Sequence, residues 1–194
     1  MPDASSPLSN AAIIARELGP LLEERGHEYA FGGAIAMAFW SEPRATIDVD
    51  LTLFLAPDAT EACLALLQDL GCQLDVARTR ETLAEHGFCR VRYRNTQLDV
   101  FLPTLPFYEL AKQRRVRVEL GSTSVLVWSA EVLAVFKMMF FRLKDLGDVE
   151  QMLRIQGAAL DRDWVRERLL EIYGPRDPRV SRWDDLCREE GLQP

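Results

Sequence analysis

The sequence predicts an α/β (α+β) protein, with a mixed central sheet flanked by helices and a helical C-terminal part. Short apolar runs with strand-like alternation are interleaved with helical-period segments up to about residue 125. From Ser129 onward only helical periodicity remains. Of the 194 residues, 48% are hydrophobic and 27% charged, enough to build a core in a soluble chain. That length suits one domain carrying a helical extension, and the change of pattern places residues 1–128 in an α/β core and 129–194 in the helical region.

The elements follow in order. "LSNAAIIARELGPLLEERG" has helical spacing, with Ser9 or Asn10 as a cap, and Pro20 is expected to kink or divide it. "EYAFGG" reads as a short strand ending in two glycines, followed by the apolar helix "AIAMAFWSE", closed by Pro43. "DVDLTLFL" is a strand, and "APDATEACLALLQDLG" a helix with Asp58 or Thr60 near its cap. "CQLDV" is a strand candidate and "RTRETLAEHG" a polar helix or turn. "FCRVRYR" and "QLDVFLP" form a hairpin through Asn95 and Thr96. "TLPFYELAKQR" is partly helical, and "RVRVEL" and "TSVLVW" are strands around Gly121. Three helical segments and a short last one, near "VSRWDDLCREEG", complete the chain.

Twenty-three basic and thirty acidic residues leave a net charge of −7, which does not favour general attraction to nucleic acid or membrane surfaces. A polyanionic partner would need a local basic patch or bridging metal ions. The four cysteines form no CxxC pair, and with only His27 and His86 beside them a zinc site is not expected. "MPDASSPLSN" lacks the basic and apolar parts of a signal peptide, and no apolar run reaches membrane-spanning length. A cytoplasmic protein with no membrane partner is the expectation.

Within "RATIDVDLTLFL" a buried-looking strand opens with Asp48 and Asp50. Strand side chains alternate, so both point to one face, with Cα atoms roughly 6.5 Å apart. Two adjacent carboxylates repel and are costly to desolvate, which calls for a positive charge between them. About fifteen residues earlier, Gly32 and Gly33 sit between a strand and a helix start, where free N–H groups favour phosphate. Asp99, inside "QLDVFL", is a third acid in an apolar strand. Three carboxylates beside such a turn suit one or two Mg²⁺ ions (or Mn²⁺) acting on a phosphoryl displacement.

The run "YAFGGAIAMAFWSEPRATIDVDLTLFL" resembles the GG…RxTxDxD core of the DNA polymerase β-type nucleotidyltransferase superfamily, with Asp99 where that superfamily places its third acid. "FKMMFFRLKDLGDVEQML" is similar to the K…R.KD..D element of the AbiEii/MenT-like branch, which includes toxins of toxin–antitoxin systems. The resemblance implies a nucleotidyltransferase fold and transfer of a nucleoside monophosphate from an NTP to a hydroxyl acceptor, releasing pyrophosphate. By carry-over Asp48, Asp50 and Asp99 bind metal, Asp99 helps deprotonate the acceptor, and Gly32 and Gly33 cradle phosphates. Gly33 stands where many members carry serine. Within the branch the acceptor is a tRNA 3′ end or a protein side chain, and an antitoxin is a conceivable partner. A small-molecule acceptor, as in antibiotic nucleotidyltransferases, and a non-catalytic binding scaffold are the alternatives.

Lys137 is expected to neutralise the leaving pyrophosphate, assisted by Arg142 or Lys144. Lys137 and Lys144, seven apart, share a face if one helix carries both. Asp145 and Asp148 would orient these bases or contact the nucleotide, and equally suit a helix N-terminus. Arg44 and Thr46 either lie near phosphate or shape their own loop. Asp99 also fits a strand acid paired with Arg90 or Arg92 across the hairpin. Lys112, Arg114, Arg115 and Arg117 form the densest basic cluster, an RNA contact or, preferably, a solvated face. Phe136, Phe140 and Phe141 are expected in the core, and Trp164 and Trp183 among the C-terminal helices.

Overall fold

The computed structural model describes residues 10–44, 46–56 and 58–193. The chain runs through α1 (Asn10–Glu24), β1 (Tyr29–Phe31), α2 (Gly33–Trp40), β2 (Asp48–Leu53), α3 (Thr60–Asp69) and α4 (Val76–His86). It continues with β3 (Phe88–Tyr93), β4 (Thr96–Phe101), α5 (Phe107–Gln113), β5 (Arg115–Leu120) and β6 (Thr123–Trp128). Helices α6 (Ala130–Phe140), α7 (Leu143–Gln156), α8 (Arg162–Tyr173) and α9 (Pro178–Glu189) follow. The strands form one mixed sheet in the order β3-β4-β2-β1-β6-β5. Strand β2 is antiparallel to β1 and parallel to β4, β4 is antiparallel to β3, and β1 is parallel to β6.

Two compact units emerge: the described parts of 1–35 and 45–127, and those of 36–44 and 128–194. In the first, Tyr29, Phe31, Val49, Leu51, Leu53, Leu98 and Val100 bury the sheet, with Leu18, Leu22 and Leu67 from the helices. In the second, Leu133, Met138, Met152, Leu153, Leu169 and the fully buried Trp183 make the core. Hydrogen bonds from Trp40 Nε1 to the Trp128 carbonyl (2.7 Å) and from Gln156 Nε2 to the Trp40 carbonyl (2.8 Å) tie the 36–44 segment into that unit.

Several local expectations are corrected. Helix α1 runs unbroken through Pro20, because burial of Ala11, Ile14, Ala15, Leu18 and Leu22 along one face outweighs the missing N–H. Asn10 is its first residue, and Ser9 lies outside the described residues. Asp58 and Thr60 flank the cap position of α3, as expected, but neither side chain caps it. Ala59 precedes it, entering through a bond from its N–H to the Ala56 carbonyl (2.9 Å). "CQLDV" makes only one bridge, Gln73 to Arg92, since Asp75 instead caps α4 by accepting from the Arg78 N–H at 3.0 Å. The hairpin turn is Arg94–Asn95, with Arg94 at φ 52° and Thr96 already paired with Tyr93.

Lys137 and Lys144 do not share a helix. Phe141, at φ 56°, takes the left-handed C-cap of α6, and α7 starts anew two residues later. The same break leaves Phe140 53% exposed rather than in the core. The Arg142 guanidinium lies 4.8 Å from its ring centroid.

Candidate active site

In the first unit, β2 alternates as the sequence requires: Val49 and Leu51 are buried while Asp48 and Asp50 are half-exposed on the other face. Parallel pairing sets Asp50 beside Asp99 and Asp48 beside Gln97. Residues in register on neighbouring parallel strands point the same way, so the three carboxylates occupy one face of the sheet. The Thr46 hydroxyl donates to Asp48 Oδ1, fixing that carboxylate from its own loop. Ile47, between them, is 87% exposed.

The glycine pair is built against this face. The Gly32 N–H donates to the Asp50 carbonyl at 2.9 Å. Gly33 opens α2 at φ 48°, and a Cβ there would fall 1.7 Å from Asp50 Oδ2. Glycine is favoured at 33 by its backbone conformation, and the carboxylate in the space of a side chain adds to that. Gly33→Ala is therefore expected to push Asp50 from its position. A reacting-group misplacement of about 1 Å costs roughly 10²-fold in rate. Steady-state assays of the folded variant check this.

Asp99 is buried and held by partners. Arg90, directly opposite on β3, donates Nε to Oδ1 and Nη2 to Oδ2, both at 2.8 Å. Gln97 Nε2 adds a 3.2 Å bond to Oδ1. Of the two readings of Asp99, the cross-hairpin pair with Arg90 is the one the geometry displays. Gln97 is not singled out by any motif, although standing two residues before Asp99 on a strand places it on the same face. The donor set is of the hard, anionic oxygen type that Mg²⁺ prefers. Among the described residues no three acid, histidine or cysteine side chains already converge on one metal position. The residues fit the ion in chemistry and shared face, with Arg90 where a cation would engage Asp99.

The second unit gathers most of the other predicted residues. Lys137, on α6 and 8% exposed, donates to Asp148 Oδ2 at 2.6 Å and to Asp145 Oδ1 at 3.3 Å. Arg142 donates Nε to Asp145 Oδ2 at 2.6 Å, and Arg44 Nη2 reaches Asp148 Oδ2 at 3.4 Å. Asp145, fully buried, lies in the first turn of α7, where the helix dipole favours an acid. Burial opposes its charge, but the Arg142 hydrogen bond and the charges of Lys137 and Arg142 outweigh burial and hold its carboxyl below the ordinary value. Lys144 is exposed on α7 and outside these ion pairs. Ser41 donates to Gln151 Oε1 at 3.2 Å beside the same helix.

Three residues of the basic cluster are engaged with acids. Lys112 and Arg115 pair with Glu28, and Arg117 with Glu23. The four cysteines are free, and burial pushes the thiols of Cys63 and Cys89 up to about 12 and those of Cys72 and Cys187 up to about 11. Such thiols are inert as nucleophiles at neutral pH. Among the described residues no helix is long and apolar enough to cross a membrane.

This mixed sheet, with β2 and β4 carrying the acids, has the nucleotidyltransferase fold. An antigenic nucleotidyltransferase-like protein from Paracoccidioides brasiliensis superposes with a TM-score of 0.53 at 18% identity, over 91% of this chain and 95% of that one. ANT(2'')-Ia, solved with adenylyl-2''-tobramycin, gives 0.55 at 16% identity, over 84% and 98%. A lincosamide antibiotic adenylyltransferase, solved with lincomycin, gives 0.52 at 12%, over 77% and 99%. No curated protein sequence matches the chain. The model of the nucleotidyl transferase AbiEii toxin family, of type IV toxin–antitoxin systems, matches residues 21–186, and the chain belongs to that family. It is a nucleotidyltransferase.

Proposed function

We propose that the chain moves a nucleoside monophosphate from an NTP to a hydroxyl acceptor, a tRNA 3′ end or a protein side chain, as the toxin of a toxin–antitoxin pair. The observation that carries this reading is the shared face of Asp48, Asp50 and Asp99 beside the Gly33 turn that Asp50 fills. Asp48 and Asp50 would hold Mg²⁺ or Mn²⁺ with Asp99 completing the set. The bound ion would supply charge neutralisation at the reacting phosphate. Thr46 orients the Asp48 carboxylate, and Gly33 keeps Asp50 at the mouth of α2, where backbone N–H groups suit phosphate. Asp99 is the carboxylate able to take the acceptor proton once its partners release an oxygen.

A small-molecule acceptor is the second reading, favoured by the net charge of −7 and by Lys112, Arg115 and Arg117 being tied to Glu23 and Glu28. Incubation with each labelled NTP, Mg²⁺ and pooled tRNA is expected to label the RNA. Label appearing only on aminoglycoside or lincosamide alcohols would move the assignment to the second reading. No transfer to any acceptor, nor to the protein itself, would refute both.

A further inference from the structure

We propose that Arg90 is the resident counter-cation of the carboxylate face, and that a divalent ion binds there by displacing it from Asp99. This role presupposes the three-carboxylate metal site proposed above. The Arg90 guanidinium meets the Asp99 carboxylate fork to fork, both bonds at 2.8 Å, and Gln97 takes a further lone pair of Oδ1. Both oxygens of a buried carboxylate are thereby engaged, while the Arg90 side chain is 59% exposed. These three bonds take three of the roughly four acceptor sites of the carboxylate, so a metal ion approaching Asp99 meets the guanidinium at close range, and its charge repels it. The charges of Asp48 and Asp50 also act on Arg90, behind that of Asp99. The guanidinium therefore offsets the mutual repulsion of the three acids when no metal is bound.

Release is inexpensive by position. Strand β3 is the end strand of the sheet, so the guanidinium can turn into water without unpacking the core. Arg90 thus acts as a positioning residue. It keeps Asp99 aligned with Asp50 and sets the threshold concentration at which metal takes over.

Titrating Mn²⁺ into the full chain without nucleotide, followed by calorimetry and by the free-ion paramagnetic resonance signal, tests the exchange. Removing a bidentate charged competitor in Arg90→Gln is expected to tighten Mn²⁺ binding roughly tenfold. Arg90→Lys, which keeps the charge but loses the fork, is expected to fall between the two. Adding Asp99→Asn to Arg90→Gln should abolish the gain. Equal or weaker Mn²⁺ affinity in folded Arg90→Gln overturns the Arg90 role and leaves the metal site standing. Absence of Mn²⁺ binding in every variant overturns both. If Arg90→Gln fails to fold by circular dichroism, Arg90→Lys against wild type decides, with unchanged affinity counting against the exchange.

Discussion

Asp48→Ala is expected to abolish nucleotidyl transfer, lowering the rate by at least roughly 10³-fold while leaving the fold intact. The side chain is half-exposed at the first residue of β2, and it accepts a hydrogen bond from the Thr46 hydroxyl of its own loop. Its removal creates no core cavity and strands no buried charge. The strand stays anchored by fully buried Val49, Leu51 and Leu53 and by pairing with β1 and β4 on either side. Loss of label transfer with an unchanged thermal midpoint is the expected pair of results. A variant that stays active removes Asp48 from the mechanism. A growth comparison of cells expressing wild type and variant then reads the toxin role directly.

Lys137→Ala is expected to act chiefly on stability, costing about 3 kcal/mol, because it leaves buried carboxylates short of a counter-charge. Lys137 supplies the shorter of the two ion pairs on Asp148 and adds to Arg142 on fully buried Asp145. Arg142 and Arg44 remain, so the loss is partial. The shortfall should be repaired in part by a second substitution, Asp148→Asn, that removes one stranded acid. Urea unfolding of the single and double variants measures this coupling. Additive destabilisation would show that the Lys137–Asp148 pair contributes nothing beyond its separate members.

Much of the fold and of the carboxylate face is legible in the residues themselves. Alternation alone puts Asp48 and Asp50 on one side of a strand, and the apolar frame of "QLDVFL" marks Asp99 as an acid in a strand. What local pattern does not reveal are the places where bulky residues adopt conformations that favour glycine. Phe141 ends α6 at φ 56°, so the spacing of Lys137 and Lys144 loses its meaning and Phe140 turns outward. Arg94 at φ 52° shifts the hairpin turn by one residue. Asp75 misleads the opposite way: a helix cap, bonded to the Arg78 N–H, looks in sequence like part of a strand. The contact between Gly33 and Asp50 is likewise tertiary, joining positions no local pattern connects.

The β3–β4 hairpin delivers both an acid and its guanidinium partner from residues nine apart, and this bears on the order in which the sheet assembles. Hairpins close in about 1–10 μs, ahead of pairings that must span longer stretches of chain. If the hairpin closes first, Asp99 would meet its partner locally before β4 is laid alongside β2. Laying β4 beside Asp48 and Asp50 would then be spared the meeting of three bare anions. A chain with the same acids but without that arginine would meet its electrostatic barrier during folding, before any substrate arrived.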